Sequence, residues 1–159
     1  MALFDLFRKA PPAPQAPVER VLLASEGRAF STAAIERAAA LAAPGQVVDV
    51  LSVARIWGTA LGFPNPWLMP SRREWDAQRE HVERAITALA ERGVRAKGGV
   101  VSSRNAAGRI AAEARRIKAE AIVMGADPGP PGLFAGLLWA NEPYRVVAHA
   151  RVPVALAVD

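Results

Sequence analysis

The sequence predicts an α/β protein built on a single open, five-stranded parallel sheet with helices on both faces. Short apolar runs alternate with longer segments of helical periodicity along the chain. The runs are apolar throughout rather than at every second residue, which is typical of parallel strands buried on both faces. Helices that join such strands by right-handed crossovers cover the two faces of the sheet.

The first strand and helix are marked by an apolar run and by a capping residue. Val21 to Ser25 is apolar up to its last residue. Ser31 or Thr32 can cap the helix that follows, because a side-chain oxygen at that position accepts a hydrogen bond from a backbone N–H of the first turn. Pro44-Gly45 ends this helix, and Val47 to Val53 is the second strand.

The middle of the chain predicts two further helices and an edge strand. Apolar residues recur at helical spacing from Trp75 to Arg92, and Gly93 ends the helix,. Val94 to Val101 is the third strand, and its Gly98-Gly99 pair and basic residues suit the edge of a sheet. Asn105 is the expected cap of the third helix.

The fourth and fifth strands are predicted at residues 121–124 and at Val152 to Val158. In open α/β sheets, ligands bind beyond the carboxyl ends of the strands. In this chain those ends fall at Ser25-Glu26, at Val53 and from Gly125 onward. We therefore expect any ligand site to lie among these residues.

Residues 1–18 are predicted to be an appendage to a domain that covers residues 19–159. The prolines between residues 11 and 17 form an extended tether that cannot continue a helix,. The segment before them is either a disordered tail or a short amphipathic anchor that docks on a partner or a membrane. Its candidate docking residues are Leu3, Phe4, Leu6 and Phe7.

The connection from residue 56 to residue 70 is long and apolar. Loops of this length in compact domains are usually functional or disordered, and this one is too apolar for disorder. It either folds over its own sheet as a lid or docks on a protein partner through aromatic anchors. The candidate anchors are Trp57, Phe63 and Trp67.

Composition excludes several classes of site. The chain has no cysteine, which removes disulfides and thiolate catalysis and fits a reducing cytoplasm,. Its two isolated histidines do not suggest a metal site,. The net charge of +5 comes from basic residues scattered among acids, so we expect no nucleic-acid partner. No apolar run is long enough to span a bilayer. We expect a cytoplasmic protein, with peripheral recruitment to a membrane complex as a further option.

The order of these elements, with Val123-Met-Gly125 and the pattern His149-Ala-x-x-Pro-Val154, resembles the universal stress protein family. The resemblance covers nearly all of the chain apart from the tail. It implies a role in the stress response. It also implies that the last strand, Val152 to Val158, lies at an edge of the sheet and forms a homodimer there. Some members bind ATP and others do not, so the resemblance by itself implies no ligand.

The loop after the fourth strand departs from the family's nucleotide-binding pattern of Gly, two residues, Gly, nine residues, Gly and Ser or Thr. In that pattern, backbone N–H groups approach the phosphates. Here Pro128 takes the second glycine position, Gly129 comes one residue late, and Ala140-Asn141 stands where the family has Gly-Ser. The prolines of this loop have no N–H to donate. The motif is therefore degenerate.

The resemblance still implies a candidate nucleotide site. Glu26 corresponds to the family's usual acidic residue beneath the nucleoside, and Val53 matches an adenine-contacting position. No cofactor is required, and ATP or AMP is the candidate ligand. Alternatively, the glycines are turn residues and the prolines only stiffen the loop. The candidate binding residues are Ser25, Glu26, Val53, Met124, Gly125, Gly129, Gly132 and Asn141.

We expect a non-catalytic regulatory module that docks on a protein partner and whose nucleotide site has degenerated. The alternative is a nucleotide-dependent switch that binds ATP or AMP. A third option is an adenylating enzyme, because the segment from Ser25 to Ser31 weakly resembles the Ser-Gly-Gly-x-Asp-Ser loop of ATP pyrophosphatases. Ala29 replaces the aspartate of that loop, and the sequence carries no other catalytic constellation,.

Overall fold

The computed structural model of the chain describes residues 13–56, 69–126, 146 and 149–158. Its elements are β1 (Val21–Ser25), α1 (Thr32–Leu41), β2 (Val47–Arg55), α2 (Arg72–Glu91), β3 (Arg95–Ser103), α3 (Ala106–Arg116), β4 (Ala121–Gly125) and β5 (Val154–Ala157). The predicted alternation of strands and helices is confirmed. Strands β2 and β3 run two residues further than the sequence predicts, and β5 is shorter at both ends.

The described strands form one five-stranded sheet in the order β3-β2-β1-β4-β5. All four neighbouring pairs are parallel. The predicted fold class is therefore confirmed, and β5 lies at one edge as expected. Strand β3, which carries the basic residues and the glycine pair, lies at the other edge.

Two hydrophobic cores cover the two faces of the sheet. Successive side chains of a strand point to opposite faces, so Leu23 packs into one core and Leu22 into the other. Helices α1 and α2 cover the first face, and α3 covers the second together with the fully buried Val146. Among the residues that the structure describes, no helix is both long enough and apolar enough to cross a membrane.

Side-chain caps set where the helices begin. Ser31 caps α1 and Asn105 caps α3, as the sequence predicts. Helix α2 begins three residues earlier than the apolar spacing suggests, because Ser71 and Glu74 form a capping box at its start,. The hydrogen bonds from Ser71 hold the pKa of the Glu74 carboxyl below its ordinary value.

Part of the segment predicted as a tether lies against α1. The N–H of Val18 donates to the carbonyl of Leu41 at 2.8 Å, and the N–H of Ala43 donates to the carbonyl of Val18 at 2.9 Å. The Arg37 guanidinium donates to the carbonyl of Pro14 at 3.1 Å. The candidate docking residues Leu3, Phe4, Leu6 and Phe7 lie outside the described residues.

The two adjacent glycines of β3 have different steric surroundings, which allows a matched test. A Cβ on Gly98 would lie 2.8 Å from the Cβ of Val50 and closer still to the Val50 carbonyl oxygen, whereas a Cβ on Gly99 would meet nothing within 4 Å. We expect Gly98→Ala to destabilise the fold by about 1 to 3 kcal/mol through overpacking. Gly99→Ala should stay within about 1 kcal/mol of the wild type or stabilise it. Urea denaturation measures both, and equal midpoints for the two variants would contradict this account.

Candidate functional site

The carboxyl ends of three neighbouring strands bring the described candidate residues to one edge of the sheet. Ser25 at the end of β1 lies opposite Ser52 of β2, and Ala24 lies opposite Met124 of β4. Because β1 is the central strand, the residues that follow it lie between the ends of β2 and β4. Strand pairing therefore fixes the positions of the candidates Ser25, Val53, Met124 and Gly125. The fifth described candidate, Glu26, follows directly in the loop after β1.

The side chain of Ser25 shapes the loop between β1 and α1. Ser25 is 6% exposed, and its hydroxyl donates to the carbonyl of Arg28 at 2.6 Å while accepting from the Arg28 N–H at 3.1 Å. Both hydrogen-bonding functions of the hydroxyl are thus used within the loop. Ser25 contributes to the shape of the site rather than offering a free hydroxyl to a ligand.

The carboxylate of Glu26 is engaged by Arg28. The guanidinium of Arg28 donates to Oε1 of Glu26 through Nε at 2.9 Å, and its Nη2 lies 2.8 Å from the same oxygen. The Glu26 side chain is 10% exposed and that of Arg28 is 45% exposed. The carboxylate is therefore the more buried partner of this ion pair.

The side chains of Val53 and Met124 are fully buried in the core beneath α3. Neither can present its side chain at the open edge of the sheet. The resemblance assigns Val53 an adenine contact, and in this structure such a contact would have to use backbone atoms of β2.

Two close backbone approaches define the edge further. Gly27 has a φ of +97°, a conformation that favours glycine, and a Cβ there would lie 3.2 Å from the Val53 carbonyl oxygen,. A Cβ on Gly125 would lie 3.1 Å from the hydroxyl of Ser31, the residue that caps α1. The loop after β1 thus passes over the end of β2, and the end of β4 lies against the start of α1.

The remaining candidates fall outside the described residues. These are Gly129, Gly132 and Asn141 of the proposed phosphate loop and Trp57, Phe63 and Trp67 of the long connection.

A hydrogen-bonded chain from β2 through α2 to the loop after β1 was not predicted from the sequence. The hydroxyl of Ser52, which is fully buried, donates to Oε1 of Gln78 at 2.6 Å. The Gln78 amide nitrogen then donates to the carbonyl of Gly27 at 2.7 Å. The sequence does contain the signal, because Gln78 falls between Trp75 and Val82 on the apolar stripe of α2 and Ser52 interrupts an apolar strand.

Two other concave surfaces lie away from this loop. A groove of about 460 Å³ runs along the face of β2 and β3 beside α3, between Lys97, Gly99 and Arg116. In its wall, hydrogen bonds from Arg116 hold the pKa of the Glu113 carboxyl below its ordinary value. The second surface, of about 520 Å³, lies at the start of α2 and is lined by Arg72, Trp75, Asp76 and Arg79.

No group of three or more His, Asp or Glu side chains is placed to hold a metal ion among the residues with a described position.

Solved structures with the same fold are universal stress proteins. One in complex with cAMP has a TM-score of 0.66 at 15% identity, covering 89% of this chain and 98% of the other. The protein from Archaeoglobus fulgidus in complex with dAMP has a TM-score of 0.61 at 15% identity, covering 88% and 98%. A family member from Burkholderia pseudomallei is 26% identical, with a TM-score of 0.54 and coverage of 87% and 94%.

Sequence comparison leads to the same group. Among proteins with curated descriptions, no sequence matches this chain. A model of the universal stress protein family matches residues 17–157, a range that contains every strand and helix from β1 to β5. The predicted resemblance is confirmed, and the chain belongs to the universal stress protein family.

Proposed function

We propose that the chain is a cytoplasmic, non-catalytic regulatory module that forms a homodimer through β5 and docks on a protein partner. One observation carries the proposal. Among the described residues, the exposed large apolar side chains are Met69, at 53% exposure, and Val158, at 50%. Met69 lies near the end of the long apolar connection and Val158 directly follows β5. Each therefore lies in a segment that the sequence assigns to contact with another chain.

The backbone of β5 supports self-association. The carbonyls of Pro153 and Ala157 accept hydrogen bonds from β4 and its following residue, at 2.9 and 2.8 Å. The N–H and C=O of one residue point to the same side of a strand and alternate along it, so those of Val154 and Leu156 point away from β4. A second copy would add its own β5 to this free edge.

Two features support a weakened nucleotide site. The prolines at 128, 130 and 131 lack the N–H groups with which glycine-rich loops hold phosphates,. Arg28 already engages Glu26, the acidic residue at the nucleoside position. With fewer backbone N–H donors and a carboxylate already paired with Arg28, this site is poorly suited to bind a nucleoside triphosphate. The proposed activity is therefore docking rather than nucleotide binding.

Substitution of each exposed apolar residue tests dimerisation and docking separately. Val158→Lys should weaken self-association at least tenfold, because a lysine directly after an edge strand opposes pairing with another strand. Met69→Lys should leave self-association unchanged. Sedimentation equilibrium measures both variants.

The same pair of variants tests partner recovery in pull-downs from native cells. Met69→Lys and a deletion of residues 1–12 should each lower recovery, whereas Val158→Lys affects recovery only through the loss of the dimer. A wild-type chain that stays monomeric at high micromolar concentration would contradict the homodimer. Recovery that is unchanged in both the Met69 variant and the deletion would contradict docking through these segments.

A second candidate function, a switch that binds an adenine nucleotide such as ATP or AMP, is favoured by the convergence of the three strand ends. Backbone atoms of the loop after β1, of Val53 and of Gly125 lie at one edge, and two universal stress proteins of the same fold are seen with cAMP and dAMP. On this alternative, bound nucleotide would change the affinity for the partner.

Calorimetry with ATP, AMP and cAMP discriminates the two candidates. The docking module predicts no heat and no melting shift at millimolar nucleotide. The switch predicts stabilisation by about 2.7 kcal/mol when the ligand reaches a hundred times its Kd. If the switch is correct, Glu26→Gln should lower the affinity for the nucleotide about tenfold, because it removes a charged hydrogen-bonding group from the site.

Glu36→Gln is the matched control for the calorimetry, since Glu36 is also paired with an arginine, Arg92, at 3.3 Å. An equal effect of both glutamine variants would argue against a site at Glu26. Release of phosphate from ATP at the buffer rate is expected in every case, and turnover above that rate would contradict a non-catalytic function.

A further inference from the structure

We propose that Gln78 of α2 is a positioning residue that holds the loop after β1 over the end of β2 and thereby sets the ligand affinity of this edge. The loop contains Gly27, Arg28 and the candidate residue Glu26. The effect on ligand affinity rests on the nucleotide-binding candidate function. The effect on the conformation of the loop rests only on the fold.

The amide of Gln78 joins the buried hydroxyl of Ser52 to the backbone carbonyl of Gly27. The hydroxyl of Ser52 lies within a buried strand and is 0% exposed, and it donates to the Gln78 oxygen at 2.6 Å. The Gln78 nitrogen donates to the Gly27 carbonyl at 2.7 Å. A buried polar group is costly to leave without a partner, so the bond from Ser52 fixes the orientation of the Gln78 amide. The amide in turn holds the Gly27 carbonyl in its position over the end of β2.

The loop depends on a contact from outside itself. The hydrogen bonds between Ser25 and Arg28 are local, spanning three residues, and they would move with the loop as a unit. The bond from Gln78 spans 51 residues of sequence and connects the loop to a helix packed on the sheet. At Gly27 the backbone has a φ of +97° and passes close to the Val53 carbonyl oxygen. An external hydrogen bond is therefore well placed to hold this conformation.

The network is not needed to fill the core. When both partners of a buried hydrogen bond are replaced by apolar groups of similar shape, the effect on stability is often small. Alanine at position 52 and leucine at position 78 would continue the apolar strand and the apolar stripe between Trp75 and Val82. The polar pair therefore has a role that packing does not supply, and the group that it reaches is the carbonyl of Gly27.

Gln78 is followed in sequence by a residue that lines the concave surface at the start of α2. Arg79, the next residue, lines the cavity of about 520 Å³ at the start of α2 together with Arg72, Trp75 and Asp76. This helix start directly follows the long connection that ends at Pro70. A shift of the first turns of α2 would thus reach Gly27 through the Gln78 side chain.

The experiment compares Ser52→Ala with the double variant Ser52→Ala/Gln78→Leu in the full chain. The single variant keeps the Gln78 donor to Gly27, whereas the double variant removes it with the rest of the amide. Both should melt within about 5 °C of each other, since the single variant leaves the Gln78 oxygen without its Ser52 partner and the double variant leaves the Gly27 carbonyl without the Gln78 donor. In nitrogen–proton correlation spectra, the amide signals of Gly27 and Arg28 should match the wild type in the single variant and move in the double variant. The affinity for AMP should fall at least tenfold in the double variant only.

Each outcome decides the inference. Gly27 and Arg28 signals that stay at their wild-type positions in the double variant would overturn it, whether or not AMP binds. Displaced signals with an unchanged AMP affinity would overturn the link to the ligand site. If the wild type binds no AMP, the nucleotide-binding candidate fails, and the positioning role of Gln78 is decided by the two amide signals.

Discussion

The central position of β1, paired in parallel with β2 on one side and β4 on the other, is the constraint on which the candidate site depends. Parallel pairing aligns the carboxyl ends of all three strands, so the loop that leaves β1 must pass between the ends of its neighbours. This explains why Gly27 lies over Val53 and why Gly125 lies against Ser31. The site is a consequence of strand order, and its side chains only modify it.

The carboxyl ends of β1, β2 and β4 present mainly backbone atoms, and several of the predicted binding side chains are not available there. Val53 and Met124 point into the core, and the hydroxyl of Ser25 is used by Arg28. Glu26 does not offer an unpaired carboxylate, because it forms an ion pair with Arg28. In this neutral pair the cation is the more exposed partner. A ligand at this edge would therefore be recognised mainly by backbone groups and by Arg28.

The two edges of the sheet differ in a way that bears on association. Strand β3 carries Lys97, which pairs with Asp49 at 3.5 Å, and an exposed glycine pair. Charged and flexible residues of this kind oppose pairing with another strand. Strand β5 has partly buried apolar side chains and is followed directly by the exposed Val158. Of the two edge strands, β5 is therefore the one that we propose for pairing with a second copy.

Periodicity along the chain was enough to predict the strands, the helices and the parallel sheet, because burial on both faces leaves a continuous apolar run in the sequence. The edge position of β5 was predicted from the family resemblance. Local capping chemistry likewise predicted Ser31 and Asn105. Only the tertiary structure decided that Arg28 engages Glu26, that the side chain of Val53 is buried in the core and that Gln78 joins Ser52 to Gly27. These features depend on loop geometry, or join residues up to 51 positions apart. The sequence marks Gln78 and Ser52 as polar residues within apolar patterns, but their partners are set by the packing of α2 and the crossing of the loop over β2.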